Sequence, residues 1–249
     1  MRKGKFIVIE GLDGCGKSTQ IDLLTGALHN KNINTLTIHF PRRSDKESPL
    51  WGTMIKKFLD GYYGNIDNVH PELVALLFAG DRYNAADEIN TNLNLGNWII
   101  CDRYVLSNIA YQGAKLPYEN WDSFYKWILK TEYEYFKIPK PDLQIILSMP
   151  FQFIENNLKI RKQNFENDIH EQSMTFMKNV EKMYDWIIEN IQDDIKSLRY
   201  NEIKNIKKFY LFVIKQFRKS YIFCLKNIKK IILLSQKYIN SSTKTSFSS

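Results

Sequence analysis

Between Gly11 and Gln20 the chain reads Gly-Leu-Asp-Gly-Cys-Gly-Lys-Ser-Thr-Gln, which places three glycines, a lysine and two hydroxyls in ten residues. The spacing of Gly11, four residues, then Gly16-Lys17-Ser18 suits the cradling of phosphate oxygens by backbone N–H groups. Glycines at 11, 14 and 16 let the backbone curl with positive φ and approach an anion closely. The loop from Gly11 through Asp13, Gly14, Cys15 and Gly16 to Lys17, Ser18 and Thr19 is therefore the candidate triphosphate site. In such a loop the lysine reaches the β and γ phosphates of a nucleoside triphosphate and the Ser18 hydroxyl ligates Mg²⁺.

That chemistry needs a strand before the loop and a helix after it. Phe6-Ile-Val-Ile-Glu10 is a short apolar run suited to a buried strand, and Ile21 to Leu28 has apolar residues at helical spacing. The positive end of that helix adds a favourable field for the anion. Further on, Thr35 to Phe40 predicts a second strand, which Pro41 ends, so that Arg42 and Arg43 fall on a loop at its carboxyl end. Ligands of open α/β sheets bind at that end. Residues 50 to 59 predict a helix closed by Gly61 to Gly64, and Pro71 opens the next one. On that helix Phe78 and Arg82 are four apart and share a face. They could be core packing capped by a surface charge, or a ring and a guanidinium presented to a ligand.

Trp98 to Asp102 predicts a strand ending in an acid, a position that commonly helps to hold Mg²⁺ in enzymes with a phosphate loop. Helical character follows from Ser107 to Gln112, and one aromatic-rich amphipathic helix is expected from Tyr118 to Phe136. Leu143 to Leu147 predicts the fourth strand, Pro150 to Lys162 a helix, and Gln163 to His170 a polar lid. A helix over 171–190, a strand over 195–200 and a closing helix over 206–217 complete the pattern. Strands alternating with helices predict an α/β fold of three layers, a mainly parallel sheet of about five strands with helices on both faces.

The length of 249 residues suits one α/β domain with a full core. No run of about 18 uncharged apolar residues predicts a membrane span. The N-terminal Met-Arg-Lys-Gly-Lys leads straight into the first strand, which leaves no room for a cleaved leader and predicts a cytoplasmic protein. Cys15, Cys101 and Cys224 are odd in number and far apart, so packing thiols are expected rather than a disulfide framework or a metal knuckle. The net charge is +8, yet no acid follows Glu202 while eleven basic residues do. The body is thus mildly acidic and the basicity belongs to a tail, so no nucleic-acid partner is expected.

A phosphate loop alone leaves several nucleotide enzymes open, although the guanine-reading Asn-Lys-x-Asp segment of switch GTPases is missing. Five segments narrow the choice: Glu10 to Gln20, Phe40-Pro41-x-Arg43-Ser44, Leu76-Leu-Phe78-Ala-x-x-Arg82, Asp102-Arg103-Tyr104 with Ser107-x-x-Ala-Tyr-Gln112, and Lys140-Pro-Asp142. In order and spacing, over about residues 4 to 200, they resemble thymidylate kinase, a phosphate-loop nucleoside monophosphate kinase. The resemblance implies transfer of a phosphoryl group from ATP to dTMP with Mg²⁺, in a homodimer. It implies that Lys17 and the loop amides hold the ATP phosphates, and that Ser18 and Asp102 position Mg²⁺. It further implies that Arg43 and Arg103 clamp the 5′-phosphate of dTMP, Phe78 stacks on thymine and Arg82 donates to a base carbonyl. Asp13 would take the 3′-hydroxyl, Tyr111 would crowd the 2′ position, and Phe40, Ser107 and Gln112 would line the acceptor pocket.

The chain departs from the family at the transition-state arginine, which members carry in the phosphate loop or on the lid. Here the loop position is Gly14, and the lid reads Asp168-Ile169-His170-Glu171, with isoleucine where arginine is expected. Arg161, in a lid of about residues 161–171, is then the catalytic candidate and Lys162 the second, against a reading of both as solvated helix charges. His170 is equally a surface residue or a ligand contact. The kinase-like domain is placed at residues 1–218 and a basic tail at 219–249. That tail is suited to an anionic membrane surface, to docking on its own domain, or to neither. Two other functions compete: a kinase of another deoxynucleotide or deoxynucleoside, and a catalytically impaired nucleotide-binding protein.

Overall fold

The structure is a computed structural model that describes residues 4–64, 68–162, 174–191, 195–199 and 213. Its centre is a sheet of five parallel strands in the order β2-β3-β1-β4-β5. These are β1 (Phe6–Gly11), β2 (Thr35–His39), β3 (Trp98–Asp102), β4 (Leu143–Ser148) and β5 (Ile195–Arg199). The helices are α1 (Lys17–His29), α2 (Trp51–Leu59), α3 (Pro71–Leu95), α4 (Val105–Gly113), α5 (Trp121–Leu129), α6 (Phe151–Lys162) and α7 (Met174–Asn190). The expected α/β architecture, strand count and alternation are all present.

The unbroken apolar run of β1 makes sense because both faces of the sheet are covered. Successive side chains of a strand point to opposite faces, so Phe6 and Val8 pack with residues of α3, α4, α5 and α7 while Ile7 and Ile9 pack with Ile21, Leu24 and Leu28 of α1. Ile99 and Cys101 of β3 face the first side, and Trp98 and Ile100 the second. Val213 is helical and joins the α1 side, where it is fully buried. The rest of the closing helix expected over 206–217, the lid over 163–170 and the tail lie outside the described residues.

β1 lies between β3 and β4, and the chain leaves it first toward one edge of the sheet and later toward the other. A crevice opens at the carboxyl ends of strands in such a sheet, which is where a ligand fits. Pro71 starts α3 at the position where a missing N–H costs nothing, and Gly96, left-handed at φ 94°, ends it. Lys140-Pro141-Asp142 sits at the opposite end of the sheet. There Asp142 accepts the Phe6 N–H at 2.8 Å, so this segment anchors β1 and β4 rather than a ligand.

One element differs from expectation. The single helix foreseen from Tyr118 to Phe136 is a short 3₁₀ turn at Tyr118–Asn120, then α5, then a π-helical segment at Lys130–Tyr135. A π turn takes in an extra residue and shifts the phase of everything after it. That shift is invisible to a pattern of aromatic spacing.

Candidate active site

The sequence from Phe6 to Leu28 folds as expected into strand, loop and helix. Gly11 has φ 136°, and a Cβ there would lie 2.6 Å from the Leu147 carbonyl oxygen and 2.9 Å from the Cys15 sulfur. Only glycine fits. Gly16 caps α1 in the left-handed region at φ 89°, and no side chain caps the helix. The first N–H groups of α1 are thus left for an anion. Lys17 is buried and donates from Nζ to the carbonyls of Gly11 at 3.2 Å and Leu12 at 3.0 Å, which bends its ammonium back over the loop. Ser18 and Thr19 are exposed on the first turn. Cys15 and Cys101 are free, buried thiols whose pKa values burial pushes up, as packing residues should be. Cys224 lies outside the described residues.

Asp102 ends β3, paired in register with Ile9 of β1, immediately beside the phosphate loop. Its Oδ1 is buried and has no hydrogen-bond partner. An orphaned carboxylate oxygen at the end of β3, with an exposed Ser18 hydroxyl on the first turn of α1, fits Mg²⁺, which takes one or two protein oxygens and leaves the rest of its shell to water and phosphate.

An open cavity of about 640 Å³, counting space open to solvent, lies at the carboxyl ends of β1, β2 and β3. All nine positions that the family resemblance assigns to the acceptor line it, and Pro41, Leu59, Tyr104 and Asn108 complete the wall. Its phosphate-loop end holds a polar triad. Arg103 pairs with Asp13 through Nη2, which also donates to the Tyr111 hydroxyl at 3.1 Å, and the Tyr111 hydroxyl donates to Asp13 Oδ2 at 2.8 Å. Burial alone would raise the Asp13 carboxyl, but the Arg103 guanidinium, the Lys17 ammonium and the Tyr111 hydroxyl outweigh it and hold Asp13 well below the usual carboxylate range. Arg43 is on the exposed rim of the same cavity.

Arg103 adopts φ 65°, an uncommon conformation for a residue with a side chain. The surroundings fix it: Arg103 N–H donates to Ile9 O at 3.0 Å and Tyr104 N–H to Glu10 Oε1 at 2.9 Å. Glu10 is fully buried and also accepts the Ser107 hydroxyl, which in turn lies 2.9 Å from the Tyr184 hydroxyl. Burial pushes the Glu10 carboxyl up, offset only in part by the Ser107 bond, the Arg103 charge and the backbone N–H groups. Glu10 therefore ties the strand, the turn after β3 and the cavity wall together.

The base end is apolar and closed by α3. Phe78 meets Phe58 edge to face at 6.4 Å, and Arg82 is only 2% exposed. The reading of Arg82 as a surface charge is thereby excluded. It is held by Glu132 at 2.5 and 2.6 Å, a two-bond pairing that raises the guanidinium pKa against the burial that would lower it. The preceding residue, Asp81, accepts from Arg42 N at 2.8 Å and Nε at 2.8 Å. Of the two arginines after β2, Arg42 is thus structural and Arg43 is left at the cavity. Gln112 Oε1 is buried without a partner and its residue lines the cavity, an acceptor available to a ligand.

Sequence reading alone missed Glu10, Asp81, Glu132 and Tyr184 as supports of the site. Glu10, an acid ending an apolar strand, carries a signal, since a buried carboxylate needs partners. The other three show none. It also missed Asn157 of α6, whose Nδ2 donates to the Gly14 carbonyl at 2.7 Å. Arg161 and Lys162 end α6 four and five residues beyond it, and their side chains, with Asp168 to Glu171, lie outside the described residues.

A family model described as thymidylate kinase matches residues 9–237, which carries the match past residue 218 and into the segment set apart as a tail. Thymidylate kinase of Plasmodium falciparum (isolate 3D7) is 31% identical over 180 residues, spanning 72% of this chain and 76% of the relative. That of Dictyostelium discoideum is 30% identical over 186 residues, spanning 74% and 73%. Among solved structures, thymidylate kinase from Candida albicans superposes with a TM-score of 0.68 at 26% identity, covering 88% of this chain and 93% of that one.

Proposed function

The chain belongs to the thymidylate kinase family, and we propose from that premise how its residues divide the transfer of a phosphoryl group from ATP to dTMP, which yields ADP and dTDP. Phosphoryl transfer needs alignment and charge neutralisation rather than a covalent intermediate. The loop amides and Lys17 bind the donor phosphates. Ser18 and Asp102 would hold Mg²⁺, which supplies positive charge against the phosphate oxygens when bound.

Arg43 and Arg103 bind the acceptor 5′-phosphate with forked donors that match its oxygens. Phe78 packs on the thymine ring and Arg82 donates to a base carbonyl, with Phe40, Ser107 and Gln112 around it. Asp13 accepts from the 3′-hydroxyl and Tyr111 closes the space where a 2′-hydroxyl would sit. The observation that carries this assignment is that Asp13 belongs both to the phosphate loop and to the cavity wall. An acceptor in the cavity is thereby set against the donor phosphates.

A homodimer as the working assembly rests on the family resemblance. No helix among the described residues is long and apolar enough to cross a membrane; a cytoplasmic location is part of the proposal. The body of residues 1–218 would carry the activity; of the segment 219–249, residues 219–237 fall within the family match and the remainder would be an appendage.

The test is ADP formation in a coupled assay with dTMP, dUMP, dGMP and thymidine as acceptors. The broad substrate specificity described for the Candida albicans enzyme makes acceptor breadth the quantity to compare. Turnover with dTMP well above the others supports the assignment. Preferred turnover of thymidine would overturn the phosphate clamp, because a nucleoside offers nothing for Arg43 and Arg103 to bind.

A further inference from the structure

Glu132 lies in the π-helical segment Lys130–Tyr135 and is fully buried, with Thr131 buried beside it. The wide turn brings an extra side chain inward at this point. A carboxylate taken out of water must be matched by donors, and three meet it: Arg82 Nε at 2.5 Å, Arg82 Nη2 at 2.6 Å and Asn108 Nδ2 at 3.1 Å. Asn108 is fixed in turn by a second bond from Nδ2 to the Ala75 carbonyl at 3.0 Å. Among the described residues Arg82 makes no other hydrogen bond, yet it lines the cavity.

The side-on pairing uses Nε and one hydrogen of Nη2. It leaves the two hydrogens of Nη1 and one of Nη2 for the cavity. We propose that Glu132 is a positioning residue for acceptor selection: it aims the free N–H groups of Arg82 at the base, favouring a base with a carbonyl oxygen at that edge over one with an amino group. The inference rests on the reading of this cavity as the acceptor site with Arg82 at its base end.

Two physical consequences follow from the pairing. A guanidinium held at two donors cannot rotate to follow a mismatched base, so an amino group there would face fixed N–H groups and leave them unpaired. The pairing also neutralises Arg82 locally. Arg43 and Arg103, which the resemblance assigns to the phosphate, line the same cavity.

The test compares Glu132→Gln, Arg82→Ala and the parent, each as the full chain, by steady-state kinetics with dTMP and with deoxycytidine monophosphate. Glu132→Gln is expected to raise KM for dTMP by about 10-fold or more, the weight of one charge-assisted hydrogen bond, with KM for ATP unchanged. The ratio of kcat/KM for dTMP over deoxycytidine monophosphate should fall with it. An unchanged ratio in Glu132→Gln together with a collapsed ratio in Arg82→Ala overturns the positioning role alone. An unchanged ratio in Arg82→Ala overturns the placement of Arg82 at the base, and the inference with it. If Glu132→Gln does not fold, Glu132→Asp keeps the charge but shortens the reach, so the ratio should still fall, and an unchanged ratio there also counts against the proposal.

Discussion

Asp13 of the phosphate loop and Arg103 of the turn after β3 form an ion pair at the point where the donor and acceptor sites meet. On the proposed assignment, dTMP would draw Arg103 toward its 5′-phosphate and Asp13 toward its sugar.

The pair has a pH signature. Asp13 is held below its ordinary value of 3.8, so its contribution to stability is present above that value and is lost as pH falls through the folded-state pKa. Glu10 is raised above its ordinary 4.5, so its contribution is present below that value and is lost as pH rises through the folded-state pKa. Against the parent, Asp13→Asn should lose melting temperature at pH 6 and recover toward pH 3, whereas Glu10→Gln should improve relative to the parent as pH rises from 4.5. Melting curves of the ligand-free proteins check this. Equal pH trends for the two variants contradict the burial and pairing assigned to one of them.

Lys17→Ala should reduce phosphoryl transfer by at least about 10²-fold, the weight of a preorganised charge on a transferring group, and leave dTMP affinity nearly intact. Calorimetric titration with dTMP alongside the coupled assay separates the two. A matching loss of dTMP affinity would show that the lysine supports the acceptor site.

Arg43→Ala should weaken dTMP by roughly 10- to 100-fold and thymidine hardly at all, since each charge-assisted bond to the phosphate is worth about 1.5 to 3 kcal/mol. Competitive inhibition constants for both ligands give the comparison. Equal losses would remove Arg43 from the phosphate clamp.

What could be read from the sequence, and what could not, follows from the range of the interactions. The phosphate loop is legible because its geometry is local: Gly11, Gly14 and Gly16 all take positive φ, and Lys17 bends back onto the carbonyls of Gly11 and Leu12, all within seven positions. β1 is legible because a strand covered on both faces must be apolar throughout. The acceptor residues were found by family resemblance, and the fold then gathered them around one cavity. Their supports were not legible. Arg82 and Glu132 are fifty positions apart, and the π segment that turns Glu132 inward breaks the periodicity by which a buried acid could be noticed. Arg42 and Arg43 are alike in residue type and loop position; the family motif singled out Arg43, while the pairing that makes Arg42 structural, with Asp81 on a different element, was not legible.

Tyr111→Ala should admit the ribonucleotide analogue of dTMP better than the parent does, because the ring fills the cavity wall beside Asp13. The ratio of kcat/KM for deoxy over ribo acceptors should fall. Tyr111→Phe keeps the ring and removes the bond to Asp13, so a ratio that falls in Phe as much as in Ala would transfer the effect from bulk to hydrogen bonding.

The last prediction concerns the cation that meets the transferring phosphoryl group. Gly14 carries no side chain, and its carbonyl is taken by Asn157 of α6, so the phosphate loop offers only Lys17 and its amides. An arginine brought to such a transition state is worth roughly 10³ to 10⁵ in rate in phosphate-loop enzymes. Arg161 lies in the last turn of α6, about one helical turn beyond the residue that touches the loop, which places it on a helix in contact with the phosphate loop. Arg161→Ala should lower kcat and kcat/KM together by at least about 10²-fold with little change in the affinity for ATP or dTMP, the pattern of an interaction made only in the transition state. Lys162→Ala should do much less, since a point charge lacks the fork that bridges two phosphate oxygens. If both variants keep the parental kcat, neither Arg161 nor Lys162 is the catalytic cation, and Asn157→Ala becomes the informative variant: its effect on kcat would then measure what the helix does through the loop carbonyl.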